Sequence, residues 1–192
     1  AGGEGGGKVW GGGVFEAVEG ELDPGGGVTL FVQLYESNPA AVKSEIATFL
    51  EVFPGGVVWG NTNNGAGYDL VLLGQAEPTR IDVDAVQARL SDPSMGVVAK
   101  SLGEIGMFSA VDLFSNYAGT KSDLAPWLAD ATINRDRNLR LQYLAGMGLN
   151  LYQSDAIYQD MVRYAGYPEQ LFAGSPETLA QLRAAVWRAR GR

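Results

Sequence analysis

The sequence predicts a mixed α/β chain: the closing half of a doubly wound sheet, ending in an antiparallel hairpin and followed by a mainly helical C-terminal part. Three observations carry this. The run Val28-Thr29-Leu30-Phe31-Val32-Gln33-Leu34-Tyr35 is β-branched, aromatic and apolar on both faces, as a strand buried within a sheet must be. Val42, Ile46, Phe49, Leu50 and Phe53 then recur at helical spacing. Two short apolar runs, Val57–Trp59 and Tyr68–Leu73, flank the polar stretch Asn61–Gly67, the pattern of an antiparallel hairpin. Helix, turn, buried strand, helix and hairpin is the order in which a doubly wound sheet closes when its last strand reverses.

Each element has its own signals. Residues 1–27 hold 12 of the 27 glycines, which makes ordering entropically expensive and leaves little to bury. Residues 1–13 are therefore expected to form a Gly-rich leader. A phosphate-cradling loop would need a strand before it, and nothing strand-like precedes these runs. Val14, Phe15, Val18 and Leu22 fall at helical spacing, and Asp23-Pro24-Gly25-Gly26 stops that helix. Asn38-Pro39 is an N-cap and first-turn pair, and Pro54-Gly55-Gly56 ends the helix it opens.

Residues 14–81 thus read as a partial Rossmann-like α/β unit, and 82–192 as a mainly helical region. In the latter, Asp82 caps a helix carrying Val86 and Leu90, and Asp92-Pro93 starts another. Met107, Phe108, Val111, Leu113 and Phe114 line a third that is expected to run to about Gly119. Ser122 opens a brief helix interrupted at Pro126, and Leu139–Leu144 reads as a strand or extended segment. Ser154-Asp155 and Ser175-Pro176-Glu177 open the last two helices, the final one with Leu179, Leu182 and Val186 inward.

Composition narrows the chemistry. The 192 residues are 46% hydrophobic and 19% charged, an ordinary globular balance. A net charge of −8 and a pI near 4.5 argue against a nucleic-acid surface. Neither Cys nor His is present. That removes disulfides, thiolate catalysis, His- or Cys-ligated metals and the Ser-His-Asp triad. No apolar run reaches the length of a membrane span, and no signal peptide is expected at the start.

From Leu22 to about Leu144 the chain resembles spermidine synthase-like proteins, specifically their C-terminal half, including bacterial versions fused to membrane-transporter-like segments. The matching residues are Leu22-Asp23-Pro24-Gly25-Gly26, Gln33-Leu34-Tyr35-Glu36, Thr48-Phe49, Phe53-Pro54, Trp59 and Tyr68-Asp69-Leu70-Val71-Leu72-Leu73-Gly74. Ile133-Asn134-Arg135-Asp136 with Leu139 and Tyr143 continues the match. The resemblance implies a class I S-adenosylmethionine-type, methyltransferase-like fold. It also implies a cofactor held by the N-terminal half: a Gly-rich turn after the first strand, an acid after the second, and a catalytic aspartate after the fourth. The stretch before Val14 is too short to hold those strands, so no cofactor and no catalytic residue is expected in this chain.

Candidate site residues follow. Gln33, Tyr35 and Glu36 stand where the buried strand ends, the carboxyl edge at which α/β sheets take ligands. They could line an amine or polyamine pocket, or simply dress a strand end. Asn134 and Asp136, interleaved with Arg135 and Arg137, offer either a substrate contact or a hydrogen-bonded connection. Asp82, Asp84 and Asp69 could be an acidic cation cluster, although a cap and a first-turn acid explain the first two. Arg183, Trp187, Arg188, Arg190 and Arg192 form a basic, aromatic C-terminus suited to an anionic partner or lipid headgroups, or to complementing a helix dipole.

Two functions are therefore weighed. One is a non-catalytic accessory or docking subunit whose protein partner covers an exposed sheet edge, a membrane-associated assembly being one setting. The other is a fragment of an S-adenosyl-dependent aminopropyltransferase or methyltransferase. The first is preferred, because so many routes to catalysis are missing.

Overall fold

The computed structural model describes residues 11–63, 66–75, 77, 80–135 and 153–190. Helix α1 (Gly12–Gly20) starts inside the expected leader, with Gly11 as its N-cap. Strand β1 (Gly27–Gln33) leads into α2 (Pro39–Val52), whose first turn is closed by the Asn38 side chain accepting from Ala41 N at 3.0 Å. Strands β2 (Val57–Asn63) and β3 (Ala66–Gln75) form the hairpin. Their ladder runs to Asn63↔Ala66, so the connection is shorter than the polar stretch 61–67 suggested.

The main sheet has the order β1-β3-β2-β5, where β5 is Tyr117–Thr120, and every hydrogen-bonded pair in it is antiparallel. The coarse expectation of a mixed α/β chain is met. β1 and β2, joined through α2, run in the same direction, but β3 is inserted between them, so they share no ladder. A second, two-stranded sheet pairs β4 (Ile81–Asp82) in parallel with β6 (Phe172–Ala173).

The remaining helices are α3 (Val83–Leu90), α4 (Gly96–Glu104), α5 (Ala110–Phe114), α6 (Lys121–Leu124), α7 (Ser154–Val162) and α8 (Pro176–Ala189). The helix expected to reach Gly119 stops at Phe114, and the chain after it becomes β5. The reason is tertiary. Val57↔Thr120, Val58↔Gly119 and Trp59↔Tyr117 pair across β2, and Tyr117 and Ala118 are thereby buried. Gly119 takes φ 149°, which other residues rarely adopt. Asp123 then accepts from Thr120 N, Thr120 Oγ1 and Tyr117 Oη, fixing the step from β5 into α6. The segment Leu139–Leu144 lies outside the described residues.

The sheet separates two hydrophobic cores. Leu30, Val32, Val58, Leu70 and Leu72 face α1, α2 and α7, where they meet Phe15, Ile46, Phe49, Ile157 and Met161. Val57 and Trp59 face the other way, toward Val83, Ala110, Phe114, Phe172, Leu182 and Val186 of the C-terminal elements. Residues beyond 82 therefore supply an edge strand and part of the packing on both faces. Tyr158 of α7 lies directly on the hairpin: a Cβ added to Gly67 would sit 2.1 Å from the Tyr158 Cβ, and one on Gly60 2.5 Å from its hydroxyl.

Two predictions follow from this packing. Gly67→Ala forces α7 off β3 and lowers stability by about 1–3 kcal/mol, read as a reduced midpoint in urea unfolding. Glu45 of α2 is half-buried, and burial pushes its carboxyl up to about 7. An acid whose value is raised on folding stabilises the fold only while protonated, so stability falls as pH rises from the ordinary glutamate range through 7. Glu45→Gln should abolish that decline and leave the variant more stable at pH 8, by up to about 3 kcal/mol, measured by thermal or urea unfolding against pH.

Candidate functional site

Strand alternation sorts the sheet face opposite α2 into three cross-strand rows. Thr29, Leu73 and Val57 form the first, Phe31, Val71 and Trp59 the second, and Gln33, Asp69 and Asn61 the third. Two rows are largely apolar, and the third, at the carboxyl ends of β1 and β2, is polar. Over this face, α4, α5 and the segments beside them border an open cleft of about 490 Å³. Its floor is Phe31, Trp59, Val71 and Leu73, and its far wall includes Leu102, Ile105, Met107 and Phe114. Trp59 is held by an aromatic cluster, with Phe114 at 5.7 Å and Tyr117 at 6.0 Å between ring centroids. Asn116 fixes the lip: its carbonyl accepts from Gly60 N at 2.7 Å, while its Nδ2 donates to the carbonyls of Asp112 and Leu113.

Asp69 is the unusual residue of this cleft. It is 2% exposed, and its Oδ1 has no hydrogen-bond partner among the described residues. Burial raises its carboxyl above the ordinary aspartate range, with the Asn61 side chain across the ladder pulling the other way. A buried carboxylate oxygen left unsatisfied is costly, and it is tolerated where a ligand completes it.

The residues singled out from the sequence are distributed unevenly around this place. Gln33 is the direct cross-strand neighbour of Asp69, and its Nε2 donates to Tyr35 O at 2.8 Å. Tyr35 has left the strand and stacks on Tyr68, with 4.8 Å between centroids. Glu36 is exposed, in a left-handed turn at φ 54°. Asn134 is elsewhere, buried against α1 and the middle of α2: its N–H donates to Thr48 Oγ1 at 2.8 Å and its carbonyl accepts from Gly12 N. Asp136 and Arg192 lie outside the described residues.

The three acids do not converge. Asp82 caps α3 by accepting from Ala85 N, Asp84 accepts from Ser175 N and Thr178 Oγ1, and Asp69 is in the cleft. Those hydrogen bonds hold the Asp84 carboxyl below its ordinary value. Among the described residues no group of three His, Cys, Asp or Glu is placed to hold a metal.

The C-terminal arginines also separate. Arg183 pairs with Glu169 and lies 4.7 Å over the Tyr167 ring. Arg190 turns inward: it is 7% exposed, donates to Ala165 O at 2.6 Å and Tyr117 O at 2.9 Å, and stacks near Trp187. Its guanidinium ties the end of α8 to β5 and does not contribute to a basic surface. Arg188 is exposed beside a separate hollow of about 600 Å³ that Asp84, Gln87 and Thr178 also line.

Sequence reasoning missed the cleft because its walls come from β1, β2, β3, α4 and α5, which only folding assembles. A signal was nevertheless present. In Tyr68-Asp69-Leu70-Val71-Leu72-Leu73 the one charge falls inside a strand that is apolar on both faces.

No protein-family model matches the chain, and neither does any curated protein or solved structure.

Asp69→Asn provides the test of this electrostatic reading. Because the folded carboxyl is raised, Asp69 weakens the fold as pH rises above the ordinary aspartate range. The Asn variant should match the parent near pH 3 and exceed it at neutral pH, in thermal unfolding across that range.

Proposed function

We propose that the chain is a non-catalytic docking module, built on the closing half of a spermidine synthase-like sheet, whose outer β1 edge takes a strand of an α/β partner. The observation that carries this reading is the edge itself. β1 pairs with β3 over seven residues without a bulge, and on its other side it has no strand partner among the described residues. Its sequence Gly-Val-Thr-Leu-Phe-Val-Gln has no charge and no proline, the devices by which proteins blunt an open edge. Phe31, on that strand, is 54% exposed. An apolar, regular, unguarded edge is suited to being paired.

The order β1-β3-β2, with a reversed strand between two that run alike, supports the resemblance to the family's C-terminal half. In a doubly wound sheet of that kind the strands of the cofactor half would continue from β1. The membrane-associated setting is supported only by the resemblance. No described helix is long and apolar enough to cross a bilayer.

The same sheet order also favours a fragment of an S-adenosyl-dependent transferase, and one set of measurements separates the two. Light scattering of the isolated chain should show self-association as edges pair in the partner's absence, and Phe31→Lys should weaken it at least tenfold while the fold persists. Titration with S-adenosylmethionine by calorimetry should be flat. A chain that stays monomeric, does not bind the dye ANS and protects its β1 amides from exchange overturns the docking reading. A saturable S-adenosylmethionine site returns the transferase.

A further inference from the structure

We propose that the cleft closed by Asp69 is a binding site for a primary amine carried on an apolar body, an alkylamine or arylalkylamine. The site shares Phe31 with strand β1 but does not require that the β1 edge docks a partner.

Asp69 lines a hollow together with Phe31, Trp59, Val71, Leu73, Leu102 and Phe114, and its Oδ1 is buried and unpartnered among the described residues. The group that completes such an oxygen is a hydrogen-bond donor, and one bearing positive charge also neutralises it. An ammonium has three donors and no acceptor, and the neighbours of Asp69 in its row suit it. Gln33 donates one Nε2 hydrogen to Tyr35 O, and its side-chain carbonyl remains an acceptor that an ammonium can use.

The rest of the hollow selects the body of the ligand. About 490 Å³ lined mainly by aliphatic and aromatic side chains is the size and character of a small-molecule pocket with one orienting polar group. A diamine or polyamine would place its second ammonium against Val71, Leu73 and Leu102 with no counter-charge, which disfavours it. A phosphate or carboxylate would meet Asp69 as a like charge. The larger hollow near Arg188 does not compete, because the Asp84 carboxylate there already accepts from Ser175 and Thr178.

Calorimetric titration of the full chain with n-hexylamine, 1-hexanol and putrescine at pH 8 tests the assignment. Hexylamine should bind at least tenfold more tightly than either hexanol or putrescine. In Asp69→Asn, checked for folding by circular dichroism, the preference of amine over alcohol should vanish. Equal binding of hexanol and hexylamine to the unmodified chain overturns the proposal by showing an apolar hollow without charge recognition, and this comparison stands even if the variant does not fold. Tighter binding of putrescine, absence of hexylamine binding, or an amine preference that survives Asp69→Asn overturns it equally.

Discussion

Strand β3 must be buried on both of its faces at once, and most of the structure answers to that requirement. It sits between β1 and β2, with Leu70 and Leu72 fully buried toward α2 and α7, and Val71 and Leu73 turned to the opposite side. Its central run Leu70–Leu73 is apolar on both faces, as a strand covered on both sides requires. It also has no spare room. Gly74 passes so close to Phe53 that an added Cβ would lie 2.6 Å from the ring, and Gly67 passes closer still to Tyr158. Close packing of this sort transmits small changes in side-chain volume directly to the backbone.

The C-terminal half of the chain is bound to this strand by contacts of different kinds. Helix α7 rests on β3 through Tyr158, β5 completes the ladder beyond β2, and Arg190 reaches back from the end of α8 to the carbonyl of Tyr117. Asp84 adds a further tie by accepting from the first turn of α8. A buried arginine that donates to three backbone carbonyls is worth more to the fold than to a surface, since removing it would leave those carbonyls without its hydrogen bonds in a dry environment. The basic C-terminus that suggested an anionic partner is, at Arg190 and Arg183, used internally.

Where the burial requirement is relaxed, the features that bear on function emerge. One is the outer side of β1, where seven regular residues end the sheet without any charge to guard them. The other is the cleft on the face away from α2, where Asp69 breaks the apolar run of β3 and no neighbouring group satisfies its Oδ1 among the described residues. An open edge and an orphaned buried oxygen both represent hydrogen-bonding capacity that the chain itself does not use. The two adjoin at Phe31, which lies on β1 and lines the cleft.

Local signals were sufficient for the elements whose pattern is self-contained. The Asn38-Pro39 cap, the helical stripe of α2, the hairpin residues and the inward Leu182 and Val186 of α8 were all legible as sequence, because capping and amphipathic periodicity act within a few residues. Tertiary contact decided the rest. β5 became a strand against its helical reading because β2 offered it a ladder, and Arg190 turned inward because Ala165 and Tyr117 offered carbonyls. Gln33 was legible as the polar end of a buried strand. Asp69 was legible only as one of three acids of a possible cation cluster, and register set it instead beside Gln33 and Asn61, away from Asp82 and Asp84. A linear sequence encodes the preferences of each segment, whereas desolvation and pairing depend on which distant segments arrive, and that is settled only in three dimensions.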